Sequence, residues 1–280
     1  MKIYKLEKGI AVESDISGSF YYFDRSDWDD FINRDNLYDW LKNEIQAMQK
    51  TDSQWFEKQK ILPPIQSQEI WAAGVTYLRS KVARMEESKE SGGDTFYDKV
   101  YDAERPEIFF KGTAVRAVGT EGGVKIRKDS TWDVPEPELT LFVTSSNKIV
   151  GYTIGNDMSS RSIEGENPLY LPQAKVYDKC AGLGPCLYVP KAPIPLDSVI
   201  RMEIHRGGKK VFEGDTQISQ MKRSHSELVE FLTRECSFPQ GVFLMTGTCI
   251  VPDYPFTLQG GDEIFISIDH IGTLKNIVEF

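Results

Sequence analysis

Glu136-Pro137-Glu138-Leu139-Thr140-Leu141-Phe142-Val143-Thr144 and Ile149-Val150-Gly151-Tyr152-Thr153-Ile154-Gly155-Asn156-Asp157 hold two strand-like runs, over 138–144 and 149–154, separated by a polar stretch, and their pairing decides the fold. Ser145-Ser146-Asn147-Lys148 is a turn signal, and a tight hairpin centred between Ser146 and Asn147 sets Asp157 opposite Glu136. Side chains two apart on an extended chain share a face, so Glu136 and Glu138 present their carboxylates side by side. Such neighbours repel unless a cation sits between them or one takes up a proton. With Asp157 they form a hard, all-oxygen set suited to Mg²⁺, Mn²⁺ or Ca²⁺, and leave room for substrate oxygens and water in a six-coordinate shell. On geometry alone a second reading stays open: an exposed edge strand of solvated acids, which Pro135 and Pro137 also fit.

Outward from the hairpin, residues 106–280 alternate as strands, at 108–111, 123–127, 187–189, 199–205, 210–213 and 263–268. One helix interrupts them, where Ser224 and Glu227 make a capping-box signal ahead of Leu228, Val229, Phe231 and Leu232. The pattern predicts a mixed, largely antiparallel sheet. Before it, residues 70–75 read as a buried strand and residues 77–105 as a mobile excursion, a candidate lid broken by Ser91-Gly92-Gly93-Asp94. Residues 2–5, 11–13 and 20–23 are strand-like, and Trp28, Phe31, Leu37, Trp40, Leu41, Ile45 and Met48 follow a helical pattern. Ile61-Leu62-Pro63-Pro64-Ile65 then reads as a stiff connection. The expected class is α+β, mainly β: a small N-terminal α+β domain at 1–65, then a larger mixed β-sheet domain at 66–280.

With 280 residues, 40% of them hydrophobic, the chain can bury a sizeable core. A formal charge of -9 argues against nucleic acid, which needs a basic face to replace counterions. No apolar run approaches the roughly 18 residues of a membrane span. The first residues lead straight into a strand rather than a secretory segment, so a cytoplasmic protein with no membrane partner is expected. Cys180, Cys186, Cys236 and Cys249 are scattered without C-x-x-C spacing and are expected to be reduced and mostly buried.

Phe109-Phe110-Lys111, Glu136-Pro137-Glu138-Leu139, residues 151–161, Lys175, Gly184-Pro185, Thr246-Gly247-Thr248, Gly260-Gly261-Asp262 and Ile271-Gly272-Thr273-Leu274-Lys275-Asn276 occur in order across residues 70–280. Together they resemble the fumarylacetoacetate hydrolase superfamily. That resemblance implies a fumarylacetoacetate hydrolase-like catalytic domain, a homo-oligomer, and Glu136, Glu138 and Asp157 as metal ligands for a small 2-oxo acid substrate whose enolate the metal stabilises. It also makes Lys175 an active-site lysine and the loop of Thr248 a substrate contact, against the plainer readings of a surface lysine and a turn.

Carbon-carbon hydrolases of that superfamily carry a histidine after a G-x-x-Y pattern. Here Gly74-Val75-Thr76-Tyr77 leads to Ser80 at that place. Pro106-Glu107-Ile108-Phe109-Phe110-Lys111, residues 129–138 and Gly247-Thr248-Cys249-Ile250-Val251-Pro252 instead resemble the 2-keto-3-deoxy-D-arabinonate dehydratase branch. The expectation is a metal-dependent dehydratase of a 2-keto-3-deoxy sugar acid with Lys175 and Glu107 as the acid/base pair. Glu107 reads equally as a strand-edge carboxylate. Arg79, Ser80, Arg161 and Thr248 are substrate-binding candidates, with Arg116 and Arg127 as further arginines; Arg161 could instead brace the metal loop. The competing readings are an acylpyruvate or diketo-acid hydrolase and a noncatalytic relative.

Overall fold

The strands pair in the expected register, although the turn is centred on Ser146 rather than between Ser146 and Asn147, and the bulge at Phe142/Val143 makes up the one-residue difference. Pro137–Val143 pairs antiparallel with Ile149–Asp157 through Pro137↔Asn156, Glu138↔Gly155 and Leu139↔Ile154, with a bulge only beside the turn at Phe142/Val143. Neither strand is an edge: Val242–Met245 pairs on the outer side of the first and Ala181–Tyr188 on that of the second. Pro135 and Pro137 are buried, and Pro137 opens its strand, where a missing N–H does least harm. The solvated-edge reading is therefore set aside.

The computed structural model describes residues 1–79 and 99–280. In it the hairpin is the centre of a twelve-stranded sheet. On one side the order runs through Ala181–Tyr188, Lys2–Leu6, Ile10–Glu13, Phe20–Phe23 and Lys50–Thr51, and on the other through Val242–Met245, Glu69–Gly74 and Glu107–Thr113. Residues 1–65 thus add their strands to the sheet that carries the hairpin. A five-stranded sheet, ordered Lys209–Gln217, Val199–Arg206, Glu263–Ile268, Gly272–Glu279 and Gly122–Lys125, packs against it. Neighbours are largely antiparallel, and parallel pairs include Val242–Met245 with Glu69–Gly74.

Alternation along the hairpin feeds two cores. Leu139, Leu141 and Ile154 join Met202, Ile204, Ile264 and Ile266 of the five-stranded sheet, together with Leu228 and Leu232 of the helix His225–Thr233. Phe142, on the other face, meets Phe243, Leu183 and the N-terminal Trp28, Phe31 and Leu41. The expected cap holds, with Ser224 Oγ accepting from Glu227 N at 3.2 Å. The helical pattern over 28–48 divides into Trp28–Ile32 and Leu37–Glu44. Residues between them bond to the hairpin turn instead, Asn33 Oδ1 accepting from Ser145 N at 2.8 Å and Asp35 Oδ1 from Thr144 Oγ1 at 2.7 Å. Of the excursion expected over 77–105, only residues 77–79 and 99–105 are described. Cys180 and Cys186 are buried, but Cys249 is half-buried and Cys236 exposed. Among the described residues no helix is long and apolar enough to cross a membrane.

Gly155 shows how tightly the hairpin is packed. A Cβ there would lie 2.3 Å from Thr140 Oγ1 and 3.0 Å from Met245 Cε. Gly155→Ala is expected to destabilise by about 1–3 kcal/mol through overpacking. Chemical denaturation checks this, and an unchanged midpoint would show that the strands give way freely.

Candidate metal centre

The hairpin's register runs on beyond its strands. Asp133–Val134 pairs with Ser159–Ser160 as Asp133↔Ser160 and Val134↔Ser159. In the gap between the ladders Asp157 N donates to Glu136 O at 2.9 Å. Backbone pairing on both sides thereby fixes the ligand-bearing residues. Glu136, Glu138 and Asp157 are at most 3% exposed, and each offers an oxygen within 4.8 Å of the others'. Among the described residues this is the one such acidic cluster.

Three carboxylates buried together require compensating charge. Lys175, at the end of the helix Leu171–Lys175, donates from Nζ to Glu136 Oε2 at 2.7 Å and to Asp157 Oδ2 at 3.1 Å. Arg161, which opens the helix Arg161–Glu166, has a guanidinium nitrogen 2.8 Å from Glu136 Oε1. Lys111 Nζ lies 2.6 Å from Asp157 Oδ1 and donates to the carbonyls of Met158, at 2.9 Å, and Lys175. Glu138 accepts at Oε2 from the backbone N–H of Gly247 at 2.6 Å. Its carboxyl is held well above the usual carboxylate range, first by burial and then by the charges of Asp157 and Glu136, with Lys175 and the Gly247 N–H pulling the other way.

The residues fit a divalent cation by donor chemistry: oxygen ligands only, converging and buried, one of them favouring a proton over a bare charge. They surround a cavity of about 10 Å³, also lined by Ala73, Gly74, Val75, Phe109, Gly247 and Thr248. A groove of about 310 Å³ beside Leu37 and Pro190 is larger but gathers no such cluster. Chemistry rather than size therefore marks the site. Its wall is strained, because Val75, a β-branched residue, has φ 53. Thr76 beside it donates to Thr246 O at 2.7 Å.

Of the other sequence candidates, Arg161 and Thr248 line this cavity. Glu107 stands over Gly74, where a Cβ would come within 1.9 Å of Glu107 Oε2. Arg79 is not among the lining residues; it is mostly exposed and 3.6 Å from Asp253. Arg127 pairs with Asp129, and Arg116 donates to Thr113 Oγ1 at 3.4 Å, both away from the cavity. Ser80 lies outside the described residues. Two contributors carried no assigned role in the sequence. Lys111 shares the strand face of Glu107 and Phe109, a signal that alternation offers, whereas the Gly247 N–H leaves no side-chain trace.

Gly247 has φ +95, and a Cβ on it would meet Thr76 Oγ1 at 2.1 Å and Ala73 O at 2.9 Å. Gly247→Ala is expected to weaken metal binding by about 10–100-fold, because moving this N–H removes an outer partner of a ligand. Titration with Mg²⁺ checks it; unaltered affinity would show that the N–H does not orient Glu138.

Residues 70–279 match the family model for the fumarylacetoacetate (FAA) hydrolase C-terminal domain. A Haloferax volcanii protein named probable 2-keto-3-deoxyxylonate dehydratase is 52% identical over 216 residues, covering 77% of this chain and 73% of that protein. The 2-dehydro-3-deoxy-D-arabinonate dehydratase of Saccharolobus solfataricus is 43% identical over 219 residues, with the same coverage of 77% and 73%. The fold is similar to a 2-keto-3-deoxy-D-arabinonate dehydratase complexed with magnesium and 2,5-dioxopentanoate, with a TM-score of 0.85 and 34% identity over 100% of this chain and 99% of that one.

Proposed function

The chain belongs to the fumarylacetoacetate hydrolase family, and from that premise we propose that it is a Mg²⁺-dependent dehydratase of a 2-keto-3-deoxy sugar acid, such as the pentonate that yields 2,5-dioxopentanoate. The observation that carries this is the buried Glu136, Glu138 and Asp157 cluster with the Lys175 ammonium against two of its members. Relatives at 52% and 43% identity are named as dehydratases of such acids, and the similar structure holds magnesium with a dioxo acid. The hydrolase reading lacks its expected histidine: His205, His225 and His270 are the only histidines, and none lines the cavity. Burial lowers His225 to about 4, which keeps it neutral.

Glu136, Glu138 and Asp157 would hold the ion, which would supply Lewis acidity that makes the C3 proton of a 2-oxo acid easier to remove. The protein's own groups then move protons. Lys175 and Glu107 act as the acid/base pair, one taking the C3 proton and the other giving a proton to the C4 hydroxyl as its C–O bond breaks. The C3–H electrons become a carbon-carbon double bond, water leaves, and tautomerisation gives the aldehyde with no oxidant or reductant. Arg161, which lines the cavity, braces Glu136. Thr248, at the cavity wall, contacts a substrate hydroxyl, and Arg79, exposed beside Asp253, is given no substrate contact. A homo-oligomer acting in the cytoplasm, with its cysteines reduced, completes the proposal.

The raised carboxyl of Glu138 gives a pH dependence with a definite sign. Metal-free folded protein keeps a proton there that the unfolded chain has already released, so this group's contribution to stability is present at low pH. It is lost as pH rises from the ordinary carboxylate range through the raised one. Mg²⁺ must expel that proton, so its stabilising effect should grow over the same interval. Melting temperatures with and without Mg²⁺ across pH check this, and a gap independent of pH would remove Glu138 from the ligand set.

The test of function is a panel of 2-keto-3-deoxy acids and acylpyruvates assayed before and after EDTA. Dehydration of the sugar acids, lost with EDTA and restored by Mg²⁺, is expected. Cleavage of acylpyruvates as the main activity would overturn the proposal.

A further inference from the structure

Two flanks of the metal cavity meet one short segment of chain outside it. The strand Glu69–Gly74 runs into Val75 of the cavity wall and then Thr76. The strand Glu107–Thr113 begins with Glu107, which pairs with Gly74 and carries its carboxylate over that glycine. Met221, Lys222 and Arg223, just ahead of the helix His225–Thr233, bond to both flanks. Lys222 N donates to Thr76 O at 2.9 Å, and Met221 bridges Tyr77 antiparallel. The side chains of the same residues reach the chain that leads into Glu107. Lys222 Nζ donates to Tyr101 O at 2.7 Å and to Asp102 Oδ1 at 2.5 Å. Arg223 donates from Nη2 to Val100 O at 3.2 Å and to Ala103 O at 2.5 Å, and from Nη1 to Glu104 O at 3.1 Å.

Arginine suits this place for a physical reason. Residues 99–102 are helical, and a helix end leaves carbonyls without intrahelical donors. A planar guanidinium offers five donors in a fixed fork, so one side chain can gather three carbonyls that a single ammonium could not span. Arg223 is only 7% exposed, and its charge is met by Glu227 Oε1, 2.6 Å from Nη1. Glu227 is itself held in the first turn of the helix by the Ser224 cap.

We infer that Arg223 is a positioning residue for Glu107, fixing the chain from Val100 to Glu104 and, through its neighbour Lys222, the Thr76 side of the cavity in one frame. This rests on the reading of Glu107 as one of the acid/base pair. Only Arg105 and Pro106 separate Glu104 from Glu107. Proline locks its own φ, and the Arg105 guanidinium lies 5.5 Å from the centre of the Phe231 ring on the same helix. The connection therefore passes a displacement of Glu104 on to Glu107 instead of absorbing it.

The test is steady-state kinetics with 2-keto-3-deoxypentonate and Mg²⁺, beside calorimetric Mg²⁺ titration, for the native chain, Arg223→Lys, Glu107→Gln and the double variant. Arg223→Lys keeps the buried charge but not the fork. It should lower kcat by about 10–100-fold, since a misplacement of about 1 Å is enough for the larger figure, and leave Mg²⁺ affinity at the native value. On top of Glu107→Gln, which should itself cost about 10²–10⁴-fold, it should add no further loss, because the group that it positions is gone. Glu227→Gln, which withdraws the carboxylate charge from Nη1, should show the same dependence on Glu107 at smaller size and guards against Arg223→Lys failing to fold. Native kcat in both folded variants, a loss repeated in full on top of Glu107→Gln, or Mg²⁺ affinity falling in parallel with kcat would overturn the inference alone. Native kcat in Glu107→Gln would overturn the acid/base reading of Glu107 and the inference with it.

Discussion

Glu138→Gln is expected to make the metal-free protein more stable while abolishing its metal-dependent turnover. The two effects have one cause. Glu138 is buried beside Asp157 and Glu136, and its carboxyl is driven toward the protonated form by burial and by those neighbours. A glutamine keeps an acceptor for the Gly247 N–H and removes the charge. At neutral pH the melting temperature without metal should rise by roughly 2 °C or more, which about 1 kcal/mol produces in a chain of this size. Metal binding should fall by more than the roughly 100-fold typical of losing an outer partner, since a ligand itself has lost its charge. Turnover should vanish with it. A variant that melts lower than the native chain would show that the carboxylate cluster is not strained without metal, and one that still turns over with Mg²⁺ would remove Glu138 from the centre.

Lys175→Met is expected to lower kcat by about 10²–10⁴-fold, the range that a positioned acid or base contributes. Methionine roughly preserves the length and fills the buried space of a side chain that is 0% exposed and lies 5.7 Å from the centre of the Phe109 ring. Mg²⁺ should still bind, because removing an ammonium from Glu136 and Asp157 leaves their oxygens more negative toward a cation. The metal-free variant should unfold more easily, by about 3–5 kcal/mol, as partners of a broken buried ion pair do, and Mg²⁺ should recover much of that loss. Loss of kcat with metal binding intact separates a proton-transfer role from a purely structural one. Loss of metal binding in parallel with kcat would assign Lys175 to holding the cluster together instead.

The hairpin and its three carboxylates were legible because strand alternation has a period of two and residues 145–148 had to be a turn, while the bulge at Phe142/Val143, which sets the final register, left no mark in the sequence. A one-residue slip would have sent every apolar side chain to the wrong face. Other features leave weaker marks. The helix Leu171–Lys175 spans five residues, too few to show an amphipathic period, so Lys175 stood out only through family resemblance. Val242–Met245 and Gly272–Glu279 lie in stretches read without strand assignment, and the first is a short run buried on both faces, which looks the same as a piece of buried helix. Lys111 was visible as a family match but not as a functional group, because lysine is almost never fully buried and only its ion pair with Asp157 explains its place. Arg79 illustrates the converse: an arginine suits carboxylate recognition by chemistry, yet its side chain stands 61% exposed beside Asp253. Residue type carries less information than the partner that the fold supplies.

The most direct measurement is a carbon balance by NMR on purified protein supplied with Mg²⁺ and 2-keto-3-deoxypentonate. A metal-dependent dehydratase converts each substrate molecule into one five-carbon 2,5-dioxopentanoate, with no fragment and no conversion once EDTA has removed the metal. Release of pyruvate or another short acid from the substrate, or undiminished conversion in EDTA, would contradict it.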